Sequence, residues 1–151
     1  MRIARDDLRH PAVLALLEHH VAEALRSAPP GQAYVLDIDK LRDPAVTVYT
    51  IWDGGALIGV GALRAISADH GEIKSMRTAP HHVRKGVARV MLAHLLAEAR
   101  ARGYERVNLE TGATDEFAAA RALYEGAGFR PCPAFGAYQE TAFNRYYSLA
   151  L

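Results

Sequence analysis

The chain has 151 residues, of which 50% are apolar and 23% are charged, proportions typical of a single globular domain in water. Its 18 basic and 17 acidic residues nearly cancel, which argues against a nucleic-acid or anionic-membrane partner. The one cysteine, Cys132, excludes a disulfide framework and a four-cysteine zinc site.

The first half of the chain predicts a helix followed by an antiparallel meander. Residues 1–5 are predicted as a short edge strand, and apolar residues at three- and four-residue spacing predict an amphipathic helix over 12–27. Residues 34–41 fit either a short helix or an extended loop. Turn residues at 53–55 and 69–71 separate three runs rich in β-branched and apolar residues, which predict strands over 46–52, 57–63 and 72–78.

The second half predicts alternating helices and strands. A long amphipathic helix over 86–102 is followed by a strand over 106–110. A helix over 118–125 comes next, and the aromatic-rich segment 129–151 closes the sheet with one or two strands. The sequence therefore predicts one α/β (α+β) domain over residues 1–151, with a mixed, mostly antiparallel central sheet and helices on both faces.

A basic loop lies between the strand over 72–78 and the long helix. Arg84, Lys85 and Arg89 surround Gly86 there. A helix N-terminus attracts anions through free backbone N–H groups and its dipole, and glycine lets a phosphate approach the backbone closely. The loop has neither the Gly-Lys-Ser/Thr of a P-loop nor the three glycines of a dinucleotide fingerprint, so it fits a pyrophosphate better than a phosphotransfer site. On spacing alone, a solvated basic helix start fits equally well.

Two motifs in this order resemble the GNAT acyltransferases, which are acetyl-CoA-dependent N-acetyltransferases. Val83-Arg84-Lys85-Gly86-Val87-Ala88 resembles their Gln/Arg-x-x-Gly-x-Gly/Ala loop. Residues 120–129 resemble their Ala-x-x-Leu-Tyr-x-x-x-Gly-Phe motif. Val83 stands where the family usually has Gln or Arg, and Phe117 stands where it often has Asn.

The resemblance implies a GNAT fold and direct transfer of the acetyl group of acetyl-CoA to the amine of a small molecule. Segments 72–78 and 109–112 also resemble a bacterial subgroup labelled YsnE-like. In the family the cofactor enters a splayed gap, here between the strands over 72–78 and 106–110. The resemblance implies that backbone N–H groups of Met76, Arg77 and Thr78 stabilise the thioester oxygen. Together with these three, the residues that it implies for binding acetyl-CoA are Val83, Arg84, Lys85, Gly86, Val87, Ala88, Arg89, Phe117 and Tyr124.

A base must deprotonate the ammonium of the acceptor, and the resemblance implies Glu72 for that role. Glu72 shares a strand face with Met76 if the strand is regular. A salt bridge to Lys74 or an exposed edge position is the alternative interpretation of Glu72. Glu110, at the end of the neighbouring strand, competes for the base role or binds the acceptor's ammonium. Tyr124 occupies the position that in many relatives protonates or hydrogen-bonds the sulfur; the alternative interpretation is a half-buried helix tyrosine that packs beside Phe129.

Further acceptor contacts are predicted from residue types and positions. Arg77 alternates with its neighbours along the strand, so its side chain faces the other side of the sheet, where it binds a carboxylate or is a surface or helix-pairing arginine. Tyr138 belongs to a group of C-terminal aromatics that line an acceptor pocket or form part of the core. Cys132 lies between prolines without a histidine close in sequence, so we expect direct transfer and no acyl-enzyme.

The remaining predictions concern metal, setting and partners. Seven His residues occur without a His-Glu-x-x-His pattern, so we predict no metal. The N-terminus lacks the apolar core of a signal peptide and no apolar run is long enough to span a bilayer, so we expect a cytoplasmic enzyme without a membrane partner. Relatives often dimerise through C-terminal strands, and the aromatic C-terminus is compatible with a homodimer. Two alternatives stay open: an acyl-CoA-binding sensor without turnover, and an acetyltransferase of protein N-termini or lysines.

Overall fold

A seven-stranded sheet organises the computed structural model, which describes residues 1–31 and 37–151. The strands are β1 Arg2–Asp6, β2 Val46–Asp53, β3 Ala56–Ser67, β4 His70–Thr78, β5 Arg106–Gly112, β6 Arg130–Pro131 and β7 Asn144–Ala150, and they stand in the order β1-β2-β3-β4-β5-β7-β6. The helices are α1 Pro11–Arg26, α2 Ile38–Leu41, α3 Val87–Ala101 and α4 Ala118–Gly126, with 3-10 turns at Pro80–His82 and Asp115–Phe117.

The predicted antiparallel meander is present in β2, β3 and β4. β2 pairs with β3, and β3 pairs with β4. β3 runs beyond its predicted end because Ala65 and Ser67 pair with Gly71 and His70. The second turn therefore lies at residues 68–69, and the glycine and histidine that were predicted as turn residues belong to β4.

The segment 34–41, for which a short helix and an extended loop were both predicted, contains the short helix α2 at Ile38–Leu41. Asp37 caps it, because its Oδ1 accepts a hydrogen bond from the Lys40 backbone N–H at 2.9 Å. Residues 34–36 of that prediction lie outside the described residues. Within the described ranges, no helix combines the length and the apolar character that crossing a membrane requires.

Helices cover both faces of the sheet, as predicted. On one face, α3 packs so closely over β3 that a Cβ atom on Gly61 would lie 2.8 Å from Met91 Cγ. On the other face, α1 buries Val13 and Leu17 in a core shared with Val48. Burying each such aliphatic side chain stabilises the fold by about 1.5–3 kcal/mol.

The strands β4 and β5 run parallel, pair over a short stretch and then separate. Their paired positions run from His70 and Arg106 to Ile73 and Leu109. Beyond that point β4 continues to Thr78, but no further pairing joins it to β5 among the described residues. β5 keeps its other partner, β7, over its whole length. A gap therefore opens between the two strands, at the position that the resemblance implied.

Candidate active site

The gap between β4 and β5 opens into a cavity of about 290 Å³. Its walls come from both faces of the sheet, because α1 contributes from one face and α4 from the other. Of the predicted site residues, Met76, Arg77, Glu110, Phe117 and Tyr124 line this cavity, whereas Glu72 and Tyr138 are not among its lining residues. The gap thus brings the predicted Tyr124 and Glu110 together without Glu72.

A β-bulge in β4 decides which of its side chains meet in the cavity. Ser75 and Met76 together oppose Gly61 of β3, and Ser75 has a left-handed φ of 55°. The bulge interrupts the alternation of the strand, so Met76 packs with Ile73 in the core under α3. Glu72, which precedes Ile73, faces the opposite side. The expectation that Glu72 and Met76 share a face is therefore wrong, because it assumed a regular strand.

Tyr124 of α4 brings a hydroxyl to the gap. Its ring packs edge-on against Phe129, and its Oη lies 3.8 Å from Met76 Sδ. Burial, with a smaller contribution from the charge of Glu110, raises the pKa of Tyr124 to about 12. Tyr124 is therefore protonated at neutral pH, which is the state that a general acid requires.

Glu72 lies in a closed network with Tyr138 and Lys74. Only 1% of Glu72 is exposed. Tyr138 Oη donates to Glu72 Oε2 at 2.5 Å, and Lys74 Nζ lies 3.5 Å from the same oxygen while it donates to Tyr138 Oη. Arg64 lies 3.5 Å from the other oxygen, Oε1. The salt bridge to Lys74, which was the alternative interpretation of Glu72, is thus present.

Glu110 presents a second carboxylate from the end of β5. Asn144 Nδ2 donates to its Oε1 at 2.7 Å. Burial raises the pKa of Glu110, while the hydrogen bond from Asn144 and the charge of Lys74 act in the opposite direction. A carboxylate that lines a cavity and has a raised pKa is a better proton acceptor than an ordinary glutamate.

Arg77 and His20 form a hydrogen-bonded pair on the α1 side of the cavity. Arg77 Nε donates to His20 Nδ1 at 3.1 Å. Burial, followed by the charges of Arg77 and Lys74, lowers the pKa of His20 to about 3, so the imidazole is neutral and can accept this bond. Arg77 therefore faces α1, on the side of the sheet opposite to Met76, as its position in the sequence predicted.

The basic loop before α3 leaves backbone donors open. Gly86, with a φ of 82°, is the N-cap residue, and no side chain caps the helix. An added Cβ at Gly86 would have no atom within 4 Å, so the space beside the backbone is open. Arg84, Lys85 and Arg89 are exposed around it, while Val87 is buried and anchors the first turn. Free N–H groups, dipole and basic side chains together fit a diphosphate.

The other predicted cofactor residues take varied positions. The ring of Phe117 lies over the backbone of Gly112 and lines the cavity. Val83 is 50% exposed at the start of the basic loop. Thr78 and Ala88 are half-buried, at the end of β4 and in the first turn of α3. Of the two departures from the family pattern, Phe117 therefore lies at the gap and Val83 lies in the basic loop.

Three of the polar cavity-lining residues that sequence reasoning missed are His20, Ser75 and Asn144. The Ser75 Oγ is buried and has no hydrogen-bond partner in the part of the chain that the structure describes. Ser75 stands in a strand of mixed polar and apolar residues, so the sequence carried no signal for it. The other two reach the cavity through the packing of α1 and the pairing of β7, which local patterns do not encode.

Ser75→Gly is expected to raise the free energy of unfolding by about 1 kcal/mol. Glycine removes the Cβ penalty of about 1–2 kcal/mol at positive φ, and the change also deletes an unpaired buried hydroxyl. The entropic cost of glycine, about 0.5–1 kcal/mol, offsets part of this gain. Urea unfolding measures the effect. Ser75→Ala is the control, because it keeps the strained φ and removes only the hydroxyl. A Ser75→Gly chain less stable than Ser75→Ala would contradict the strain argument.

Comparisons with known proteins match nearly the whole chain. The family model described as Acetyltransferase (GNAT) family matches residues 13–129. The uncharacterised N-acetyltransferase YedL of Escherichia coli (strain K12) is 44% identical over 149 residues, which cover 99% of this chain and 94% of YedL. The uncharacterised N-acetyltransferase YsnE of Bacillus subtilis (strain 168) is 45% identical over 140 residues, 93% of each chain.

Solved structures share the fold. A Klebsiella pneumoniae protein provisionally named an acyl-CoA N-acyltransferase superposes with a TM-score of 0.82 at 27% identity, over 99% of this chain and 97% of that one. A Bacillus subtilis acetyltransferase in complex with CoA superposes with a TM-score of 0.74 at 19% identity, over 99% and 98% of the two chains. The predicted mixed sheet with helices on both faces is confirmed.

Proposed function

The chain belongs to the GNAT family of acetyltransferases, and on that premise we propose that it transfers the acetyl group of acetyl-CoA directly to the amine of a small molecule. It is an acyltransferase with acetyl-CoA as its co-substrate. The observation that carries the proposed acceptor class is the cavity of about 290 Å³, a volume near the lower end of small-ligand pockets. Tyr124 reaches it from one face of the sheet and Glu110 from the other.

The basic loop and the edge of β4 are the parts of the chain that fit acetyl-CoA, which supplies an activated acetyl thioester. Gly86 leaves space for a diphosphate beside the uncapped N-terminus of α3. The edge of β4 from Lys74 onward has no strand partner on the gap side among the described residues. Backbone N–H groups of Met76, Arg77 and Thr78 are the proposed donors to the thioester oxygen as it gains negative charge.

Glu110 supports the role of general base better than Glu72 does. It lines the cavity, and burial raises its pKa toward the pH at which an enzyme works. Glu72 is engaged by Tyr138 and Lys74 and is almost fully buried. In this proposal Glu110 takes the proton of the ammonium, directly or through water, and Glu72 holds Lys74 in place.

Tyr124 is the proposed general acid for the departing sulfur. It is protonated at neutral pH and lies at the gap beside Met76. The leaving thiolate has a reference pKa of about 8.5, so a proton donor helps but is not essential. Cys132 supports direct transfer without an acyl-enzyme, because it does not line the cavity and burial raises the pKa of its thiol.

We further propose that one domain spans residues 1–151 and that it works in the cytoplasm, where the free thiol of Cys132 would stay reduced. A homodimer is proposed through the C-terminal edge of the sheet, where β6 has only two residues and pairs with β7. Size-exclusion chromatography with light scattering measures the oligomeric state directly.

Thiol release from acetyl-CoA, measured against a panel of small amines and lysine-containing peptides, tests the proposed acceptor. We expect release with some small amines, mass spectrometry to identify the N-acetyl product, and little release with peptides. Faster acetylation of the peptides would show a protein acetyltransferase instead. Tight binding of acetyl-CoA without release for any acceptor would favour the alternative of an acyl-CoA sensor.

A further inference from the structure

Arg77 is a half-buried cation in the cavity; no carboxylate of the described residues contacts it, and the charge of Glu116 acts on it from beyond 4.0 Å. Its Nε is bound to His20 Nδ1 at 3.1 Å, and that imidazole is neutral. Its Nη1 and Nη2 donate to no group of residues 1–31 and 37–151, and no carboxylate in those ranges lies within 4.0 Å of its guanidinium. The guanidinium therefore keeps its two terminal nitrogens for a ligand.

The other buried cation at the site, Lys74, shows the contrast. Glu72 lies 3.5 Å from its ammonium, and Tyr138 accepts a hydrogen bond from it. Lys74 thus has a carboxylate in direct contact, whereas Arg77 has only the more distant charge of Glu116. Burying a charge without a contacting counter-ion is unfavourable, and a planar guanidinium with both terminal nitrogens free matches a carboxylate in bidentate geometry.

The position of Arg77 separates this cation from the proposed diphosphate site. Arg77 contacts His20 of α1, on one face of the sheet. The basic loop leads into α3, on the opposite face. The same cavity is also lined by the carboxyl groups of Glu23, Glu110 and Glu116. A ligand on the α1 side therefore meets a cation and a carboxylate in one space.

We propose that the acceptor carries a carboxylate as well as its amine, as an amino acid does, and that Arg77 binds this carboxylate while Glu110 receives the amine. The proposal rests on the proposed function and names its substrate class. During transfer the acceptor nitrogen forms a bond to the acetyl carbon, and the bond from that carbon to sulfur breaks. One proton of the ammonium goes to Glu110 before the attack, and Tyr124 supplies a proton to the departing sulfur. The second proton that the nitrogen loses as the amide forms restores the Tyr124 hydroxyl, and the carboxylate on Arg77 is unchanged.

Matched pairs of acceptors test this assignment: L-amino acids and their carboxamides, which differ in the charge of one group. We expect the wild-type chain to prefer the acid over the amide by about 10- to 100-fold in kcat/KM, the range of a charge-assisted bidentate contact. In Arg77→Gln this ratio should fall to about one, through a higher KM for the acid. Arg77→Lys, which keeps the charge but loses the planar fork, should give an intermediate ratio.

The ratio of kcat/KM for the acid to kcat/KM for the amide, measured within one variant, does not depend on what fraction of that variant is folded. Arg100→Gln is the matched control, because it removes one exposed positive charge from α3 away from the cavity, and its ratio should equal that of the wild type. Amines acetylated without preference for the acid, or a preference that survives in Arg77→Gln, would overturn the inference and leave the proposed function standing. If no member of any pair is acetylated while other small amines of the panel are, the inference fails and the proposed function stands; if no small amine is acetylated at all, both fail.

Discussion

Gly86→Asp is expected to weaken the binding of acetyl-CoA by at least about 100-fold. The side chain would enter the open space beside the N-terminus of α3, where the backbone donors and the basic residues fit a diphosphate. Two unit charges 4 Å apart repel by about 4 kcal/mol at an effective dielectric constant of 20, which exceeds the about 2.7 kcal/mol of a 100-fold loss. Equilibrium dialysis with labelled acetyl-CoA measures the affinity.

Gly86→Asn separates charge from shape in this prediction. Asparagine has nearly the same size as aspartate and tolerates the left-handed φ of 82° better than most residues. We therefore expect Gly86→Asn to lose far less affinity than Gly86→Asp. Equal losses in the two variants would mean that crowding or backbone strain, and not an anion at this helix end, explains the effect.

Glu110→Gln is expected to lower kcat/KM by about 10²–10⁴-fold, the usual contribution of a general base. The wild-type rate should fall at acidic pH with an apparent pKa above the ordinary value of a glutamate, because burial raises the pKa of Glu110. The variant should lose this acidic limb. A pH series of kcat/KM with the best acceptor of the amine panel measures both effects.

Although Glu110→Gln should lower kcat/KM, it should raise the free energy of unfolding at neutral pH. A raised pKa means that the folded chain binds this proton more tightly than the unfolded chain does. The ionised carboxylate therefore opposes folding, and the wild type gains stability as the pH falls through the folded pKa. Glutamine keeps an oxygen for the hydrogen bond from Asn144 and carries no charge. We expect a higher urea midpoint than the wild type at neutral pH, and the same midpoint or a lower one at acidic pH.

Glu72→Gln provides the contrasting variant. It leaves Lys74 buried without its carboxylate, which typically costs about 3–5 kcal/mol of stability. The double variant Glu72→Gln/Lys74→Met removes both charges and should recover most of that loss. If Glu72→Gln instead stays as stable as the wild type and loses about 10²-fold in turnover while Glu110→Gln does not, Glu72 is the base.

Local sequence patterns predicted the parts of the fold that depend on periodicity. The meander, the long helix α3 and the glycine at its start follow from apolar spacing and turn residues. The bulge at Ser75 could not be predicted in the same way, because a bulge depends on the pairing partner, and its serine resembles any other strand residue. That one extra residue turned Glu72 and Met76 to opposite faces.

The surroundings of the predicted base depended on contacts between distant parts of the chain. Tyr138 reaches Glu72 from 66 residues further along the chain, and Asn144 reaches Glu110 from 34 residues further along. The sequence identified both carboxylates as candidates. Which of them meets the cavity depends on how the C-terminal segment packs, and no local pattern encodes that packing.

Isothermal titration of acetyl-CoA into the wild-type chain, with CoA and ATP as controls, tests most directly that the gap and the basic loop form an acetyl-CoA site. We predict one site with micromolar affinity for acetyl-CoA and similar affinity for CoA. ATP should bind much more weakly, because it lacks the pantetheine arm of CoA that the gap between β4 and β5 would hold. An absence of binding heat with acetyl-CoA, both alone and in the presence of the amine panel, would contradict the account.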